Sequence, residues 1–459
     1  MTANTLEDKI RACGNPVDML RNAQTGPYQF PVPSEFSNWR DEQEAWHTSA
    51  VLLDQSNHMT DLYIEGPDTV RLLSELGINS FASFRRDNAK QFVACNPDGF
   101  VIGDGVLFAL EDHSALLIGR PPVSNWVQFN ALSGRYDVRV ERDERTLANT
   151  APRRLYRYEI QGPNAWEILQ RCNGAPLPEI AFFHMGQIRI AGRTVRCLKH
   201  GMSGAPGLEI WGPREEGPEV RAALLEAGRD LGLRLGGARA YSTVAIESGW
   251  IPSPMPAVYS GEALRAYREW LPAGGFEANA SLGGSMVSER IEDYYLTPYD
   301  LGYGKLVRFD HEFVGREALQ RFAGQPHRRK VTLTWNTEDV VRIFTSQFRT
   351  EDRFKYMDMP ASHYATLPYD RIEQGGRQVG ISTYPVHTAN GRVWISLSMV
   401  DEAFAADGSA VEVVWGEPDG GTSKPTVERH VQTSVRATVG PSPFSEFART
   451  RYRAPAAAQ

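Results

Sequence analysis

Apolar residues recur at helical spacing from Leu6 to Arg21, the segment TGPYQFPVP breaks the pattern, and a helical pattern resumes from Asp41 to Ser49. Thr60 to Glu65 (TDLYIE) alternates as a strand does. Gly66-Pro67 ends it, and Asp68 stands where it can cap a helix carrying Val70, Leu72 and Leu73. The same phrase recurs: Arg157 to Gln161 (RYEIQ), Gly162-Pro163, Asn164 as a cap, then a helix from Ala165 to Arg171. A strand, G-P-[DN], helix unit at Tyr63 and again at Tyr158 predicts two similar α+β subdomains with sheets covered by helices, too weak a repeat for a solenoid. The stretch Gly324 to His327 marks a boundary. From Arg329 the runs RKVTLTW, VGISTY, RVWISLSMV and AVEVVW alternate with turn residues, which predicts a small antiparallel barrel or sandwich. The last residues, RAPAAAQ, read as a frayed tail.

A chain of 459 residues is long enough for two to four domains, and 41% hydrophobic with 23% charged residues is the balance of folded proteins. The net charge of -7 supplies no basic field for a phosphate backbone, so nucleic-acid binding is not expected as the main role. MTANTLEDKIRACGNP has neither the apolar core of a signal peptide nor the composition of a transit peptide, and no apolar run approaches the roughly 20 residues that span a bilayer. A cytoplasmic protein without membrane contact is expected. Cys13, Cys95, Cys172 and Cys197 lack zinc-ligand or disulfide spacing and read as reduced, mostly buried thiols; no metal site is expected.

Nucleotide-binding glycine motifs, H-E-x-x-H and G-x-S-x-G are all missing from the sequence. Five polar and aromatic clusters remain. In Gln55 to Met59, His58 is either a ligand-orienting, proton-exchanging group or a structural histidine tied to backbone carbonyls. In Asn96 to Gly105, Asp104 between glycines can approach a ligand closely, or Asp98-Gly99 and Asp104-Gly105 are turn dipeptides. In Gly119 to Pro122, the strand ALLIG delivers Arg120 into a rigid Pro-Pro turn, where its fork of donors suits a carboxylate or phenolate; the alternative is a surface salt bridge. In Gly201 to Trp211, a glycine-rich loop runs into a strand carrying Glu209, which either accepts hydrogen bonds from a planar amino-heterocycle or faces solvent. In Ala238 to Pro252, Tyr241 offers a phenolic acid and Trp250 a stacking surface, unless both are core aromatics.

In order, these clusters resemble the glycine-cleavage T-protein superfamily, and more closely its tetrahydrofolate-dependent aromatic O-demethylases, from about Leu6 to about Pro443. The superfamily features are N-x-x-G-x-x-x-x-D ending at Asp104, G-x-x-G-x-x-G-x-E-I ending at Glu209-Ile210, A-R-x-x-x-x-x-x-E-x-G from Ala238 to Gly249, and LGYGKLVRFDHEFVGREAL from Leu301 to Leu319. EFSNWR, HMTDLYI, ESGWIPSP, AYREWLP and WGEPDGGTSKPTVE are similar to the vanillate and syringate O-demethylases in particular. The T-protein pattern has two adjacent acids where this chain has Gly103-Asp104, which favours methyl-ether over aminomethyl chemistry.

The resemblance implies an α+β cloverleaf of three domains: residues 1–56 with 150–250 as a discontinuous folate-binding unit, 57–149 with 251–325 as a second α+β unit, and 326–459 as a β-rich barrel or sandwich. It implies transfer of the methyl group of a methoxylated aromatic acid, syringate before vanillate or 3-O-methylgallate, to N5 of tetrahydrofolate. The products are a catechol-type acid and 5-methyltetrahydrofolate, as in lignin-derived aromatic catabolism and one-carbon metabolism. Tyr241 is implied as the acid or donor at the leaving oxygen, Arg120 as partner of the aromatic acid or its phenolate, and His58 as lining the same pocket. Glu209 is implied as pterin anchor, with Gln161, Trp250 and Asp104 around the ring. A tyrosine near its ordinary pKa of about 10 matches a departing phenol. Glycine-cleavage aminomethyl transfer and non-catalytic folate binding are the rival readings, and a homodimer is compatible with all three.

Overall fold

The computed structural model describes residues 3–26, 28–145, 152–250 and 254–453. Its N-terminal helical pattern is two helices. Gly14 takes φ 79°, ends Leu6–Cys13, and lets Asn15 cap Pro16–Arg21 by accepting from the Val17 amide at 2.8 Å. Trp39–Thr48 is the third helix.

Two sheets follow from the repeated phrase. One has the strand order Leu233–Gly236, Ala50–Asp54, Leu155–Gln161, Gly207–Pro213, Arg193–Leu198, Met185–Ile190, antiparallel except for its first pair. The other, Ala89–Cys95, Val101–Glu111, Ser114–Gly119, Thr60–Glu65, Arg139–Asp143, is antiparallel throughout. The two G-P turns are conformationally the same: Gly66 has φ 139° and Gly162 φ 137°, and a Cβ on either would press within 2.3 Å or 2.5 Å of a carbonyl oxygen, Asp137 or Ser49. Only glycine fits there. Asp68 and Asn164 do not cap through their side chains; Asp68 instead accepts from the Asp137 amide at 2.9 Å, and Asn164 donates to the Leu231 carbonyl at 2.8 Å.

Each sheet covers its outer face with helices, Ala165–Asn173 and Gly217–Ala227 on the first, Pro121–Ala131 on the second. The inner faces meet. Val106, Phe108, Leu116 and Ile118 from one sheet cluster with Met185, Leu198 and Trp211 from the other, and Phe108 meets the Trp211 ring edge-on at 5.3 Å. Burying each such aromatic or branched side chain contributes about 1.5–3 kcal/mol. The Pro121-Pro122 pair is a helix start rather than a free turn, because proline needs no intrahelical N–H in the first turn. Asp104-Gly105 lies inside a strand, leaving Asp98-Gly99 as the turn.

The β-runs of the last third form a closed six-stranded barrel, so the sandwich alternative falls away. The strands Arg377–Thr388 and Val393–Asp401 are its longest and pair with each other, and a helix absent from the β-pattern, Thr337–Ser346, follows its first strand. Among the thiols, Cys95 and Cys197 are buried, Cys172 half-buried and Cys13 exposed. The tail beyond Arg453 and the stretch 251–253 lie outside the described residues.

Candidate active site

An open-mouthed cavity lies where the two sheets, the helix Ala238–Glu247 and the barrel-domain residues His363, Thr366 and Tyr384 come together. His58, Asp104, Arg120, Glu209, Tyr241 and Trp250 all line it.

One end is built around Tyr241. The helix that carries it starts at Gly237, whose amide donates to the buried Glu42 at 2.8 Å, and ends at Glu247. The Glu247 carboxylate is buried and accepts from Trp46 Nε1 at 2.9 Å, His47 Nε2 at 3.1 Å and Thr388 Oγ1 on the barrel. Both ends of the helix are therefore anchored, and the Tyr241 hydroxyl sits 2.8 Å from His58 Nε2 with the Phe30 ring centroid 4.5 Å from its own. Burial, with the positive charges of Arg153, Arg120 and Arg157, drives the His58 pKa down to about 3. His58 is thus a neutral ring at physiological pH, and the expected proton exchange near neutrality does not arise. Burial also pushes the Tyr241 pKa well above the ordinary tyrosine range assumed from sequence.

Arg120 ends the strand Ser114–Gly119 and precedes the helix Pro121–Ala131. Its guanidinium has no hydrogen bond or ion pair among the described residues. A cation at a helix N-terminus opposes the macrodipole, so this placement gains nothing locally and leaves a positive wall for an anion.

The other end is built by the strand Leu155–Gln161. Tyr156, Tyr158 and Ile160 pack in the core on one face, which sends Arg157, Glu159 and Gln161 to the other. Glu209 lies directly across from Glu159 in register and accepts from Arg157 Nη1. Its second oxygen, and Arg157 Nη2, are without partners among the described residues. Burial opposes the charge on Arg157, but Glu209 and Asp61 outweigh it and raise its pKa. Glu159 is pushed up to about 8 by burial and by the Glu209 charge, so it is protonated at neutral pH. Asp104 is raised by burial against hydrogen bonds from Tyr303 at 2.8 Å and Gln91 at 2.6 Å. The neighbouring Gly103 faces Val123 of the covering helix, 3.0 Å from where a Cβ would reach; a second acid there would point away from the cavity.

Gln161 does not line the cavity. Its carboxamide accepts from the Ser203 amide at 2.8 Å and donates to the Ala205 carbonyl at 3.0 Å, which shapes the glycine-rich loop leading to Glu209. Glu159 supports the same loop, accepting from the Met202 amide at 2.7 Å. The loop is held from outside by Tyr452, whose hydroxyl donates to the Gly201 carbonyl at 2.6 Å. Arg157, Glu159 and Tyr452 were not singled out in the sequence. The signal for the first two is a run of polar residues at period two in a strand whose other face is core.

Residues 21–253 match the family profile of the GCVT N-terminal domain. The chain is 47% identical over 452 residues to a syringate O-demethylase of Sphingobium sp. (strain NBRC 103272 / SYK-6), covering 98% of both chains. It is 29% identical to a sesamin methylene transferase of Sinomonas sp. (strain No.22), covering 91% of both. Its fold is similar to that of a glycine cleavage system aminomethyltransferase T from Bartonella henselae, with a TM-score of 0.61, 17% identity, and 93% and 95% of the two chains covered.

Proposed function

Because the chain belongs to the GCVT N-terminal domain family and matches a syringate O-demethylase along nearly its whole length, we propose that it is a tetrahydrofolate-dependent methyltransferase that demethylates syringate. The observation that carries the reading is the pairing of Tyr241 with neutral His58, beside the unpaired Arg120, in one cavity with Glu209.

The second end of that cavity suits a pterin. The free Glu209 oxygen is an acceptor for amino and ring N–H donors, the orphaned Arg157 Nη2 is a donor beside it, and Asp104 and Trp250 complete the wall. Bound there, tetrahydrofolate supplies N5 as acceptor of the methyl group and leaves as 5-methyltetrahydrofolate. Glu159 and Gln161 act one layer out, fixing the loop that leads to Glu209.

At the first end the chain must stabilise the aryl oxygen as its bond to the methyl carbon breaks. Tyr241 gives its hydroxyl proton, or a strengthening hydrogen bond, to that oxygen. His58, neutral and 2.8 Å away, takes the tautomer that donates Nε2–H to the tyrosine oxygen as charge develops there. Arg120, which lines the same cavity, lowers the energy of the phenolate. The oxygen thus ends as a phenol, giving a catechol-type acid, and the proton displaced from N5 by the methyl group replaces the one that Tyr241 gave up.

We place the enzyme in the cytoplasm, in catabolism of lignin-derived methoxylated acids such as vanillate and syringate, with the three units anticipated from sequence as its domains. No helix among the described residues is long and apolar enough to cross a membrane. The test is to incubate purified protein with tetrahydrofolate and a panel of methoxybenzoates, following both products by chromatography. Syringate is expected to be consumed with equimolar 5-methyltetrahydrofolate. Absence of methyl transfer from every methoxybenzoate overturns the reading.

A further inference from the structure

The wall that carries Glu209 and Trp250 holds one more polar group. His200 is buried and lines the same cavity. In the ladder between Arg193–Leu198 and Gly207–Pro213, Leu198 stands directly opposite Glu209, so their side chains share a face, and His200 follows Leu198 by two positions at the foot of the glycine-rich loop. The imidazole is fixed on three sides. Phe183 stacks on it with centroids 5.0 Å apart and planes 15° from parallel, and Trp250 meets it edge-on at 5.8 Å. The third contact is polar, with Nδ1 lying 3.3 Å from the Tyr452 hydroxyl.

That contact decides which nitrogen carries the proton. A phenol has one proton to give, and Tyr452 gives it to the Gly201 carbonyl 2.6 Å away, while its oxygen accepts from the Gly201 amide. Nδ1 can therefore join the hydroxyl only as a donor. Burial drives the His200 pKa down to about 4, so the ring is neutral at physiological pH and holds a single N–H. With that N–H on Nδ1, Nε2 is left with a bare lone pair, and it makes no hydrogen bond among the described residues. The second Glu209 oxygen is likewise an unfilled acceptor. Two acceptors on one wall, one charged and one neutral, call for a ligand that carries several N–H donors, as a reduced pterin does.

We propose that His200 is a folate-binding residue that accepts an N–H of tetrahydrofolate at Nε2, and that Tyr452, 252 positions further along the chain, is the positioning residue that holds His200 in the accepting tautomer. The identity of the ligand rests on the methyl-transfer reading above. With the proton on Nε2 instead, the ring would meet that N–H donor with another donor, and both would lose their partners on leaving water.

The tautomer is read in folate-free protein carrying isotope-labelled histidine, by heteronuclear correlation spectra in which the His200 signals are those that His200→Phe removes. Wild-type protein is expected to hold the Nδ1–H form, Tyr452→Phe to show both tautomers, and saturating tetrahydrofolate to shift the Nε2 resonance of the wild type. Calorimetry with tetrahydrofolate alone is expected to find His200→Phe weakened about 3–10-fold, the size of one lost hydrogen bond, and His200→Gln, whose amide oxygen reaches the place of Nε2, within about twofold of wild type. Syringate affinity is expected to stay unchanged in these variants. An Nε2–H tautomer in the wild type, undiminished folate affinity in His200→Phe, an equal loss of syringate affinity, or recovery by His200→Asn rather than by His200→Gln overturns the assignment of His200. A tautomer that Tyr452→Phe leaves unchanged overturns the role of Tyr452. If His200→Phe melts early, the wild-type spectrum decides alone, since an Nε2 resonance indifferent to tetrahydrofolate also overturns the proposal. Protein that binds tetrahydrofolate through His200 yet transfers no methyl group sinks the enzymatic reading and leaves the folate contact standing. Turnover by a wild type whose folate affinity His200→Phe matches does the reverse.

Discussion

At the scale of single residues, the Tyr241 hydroxyl is the group whose removal separates chemistry from architecture. Tyr241→Phe keeps the ring that packs against Phe30 and removes the hydroxyl's bonds to His58 and to the Met202 sulfur. The expected outcome is a loss of about 10²–10⁴ in single-turnover rate with ligand affinities and melting temperature near those of the wild type. Turnover within a few-fold of wild type would show that the proton comes from elsewhere. Arg120 stood out because it follows the apolar strand ALLIG, whereas Tyr241 and His58 were singled out chiefly by their place in the family resemblance; the structure brings all three to one cavity. Their protonation was not legible, since the shift of His58 to about 3 comes from burial among arginines on distant stretches of chain. Arg157 and Glu159 were passed over for a different cause: a strand read for its hydrophobic alternation reveals its core face, and the polar face is easily taken for a solvated one.

At the scale of elements, the glycine-rich loop is held by the strand behind it. A Cβ on Gly201 would come within 1.7 Å of Gln161 Nε2, and the fully buried Gln161 side chain has little room to retreat. Gly201→Ala is therefore expected to displace the Gln161 carboxamide, freeing the Ser203 amide and the Ala205 carbonyl, and to cost about 1–3 kcal/mol of stability. Calorimetry should show weaker tetrahydrofolate binding and unchanged syringate binding. Because both changes break one connection, Gly201→Ala combined with Gln161→Ala should do little more than either alone; additive losses would mean the two act separately. The strands and the G-P turns were legible from alternation and from turn chemistry. The split of the first helical pattern was not, because Gly14 at φ 79° breaks a helix that its apolar spacing continues across. The helix start at Pro121 was likewise hidden, since the same dipeptide serves a turn equally well.

At the scale of the whole molecule, buried acids shape how stability follows pH. Glu159, raised to about 8, keeps its proton in the folded protein, whereas in the unfolded chain it ionises near its reference value of about 4.3. The folded state thus binds the extra proton between those values, and stability falls as pH rises through that window. Glu159→Gln, with the Gln55 amide turned to match, removes this contribution. Its urea midpoint should gain on that of the wild type between pH 6 and pH 9, and a constant gap would place the ionisation of Glu159 outside that range. The closed barrel and the paired sheets could be anticipated as units, but their mutual arrangement rests on contacts such as Phe108 with Trp211 and Glu247 with Thr388 that join segments far apart in the chain. The Tyr452 bond to Gly201 joins partners 251 positions apart. During synthesis the ribosome adds Tyr452 long after the loop that it holds, when both sheets have already left the tunnel. The cavity is accordingly among the last parts of the protein to mature, and a nascent chain with its sheets already formed still has an unfinished cavity wall.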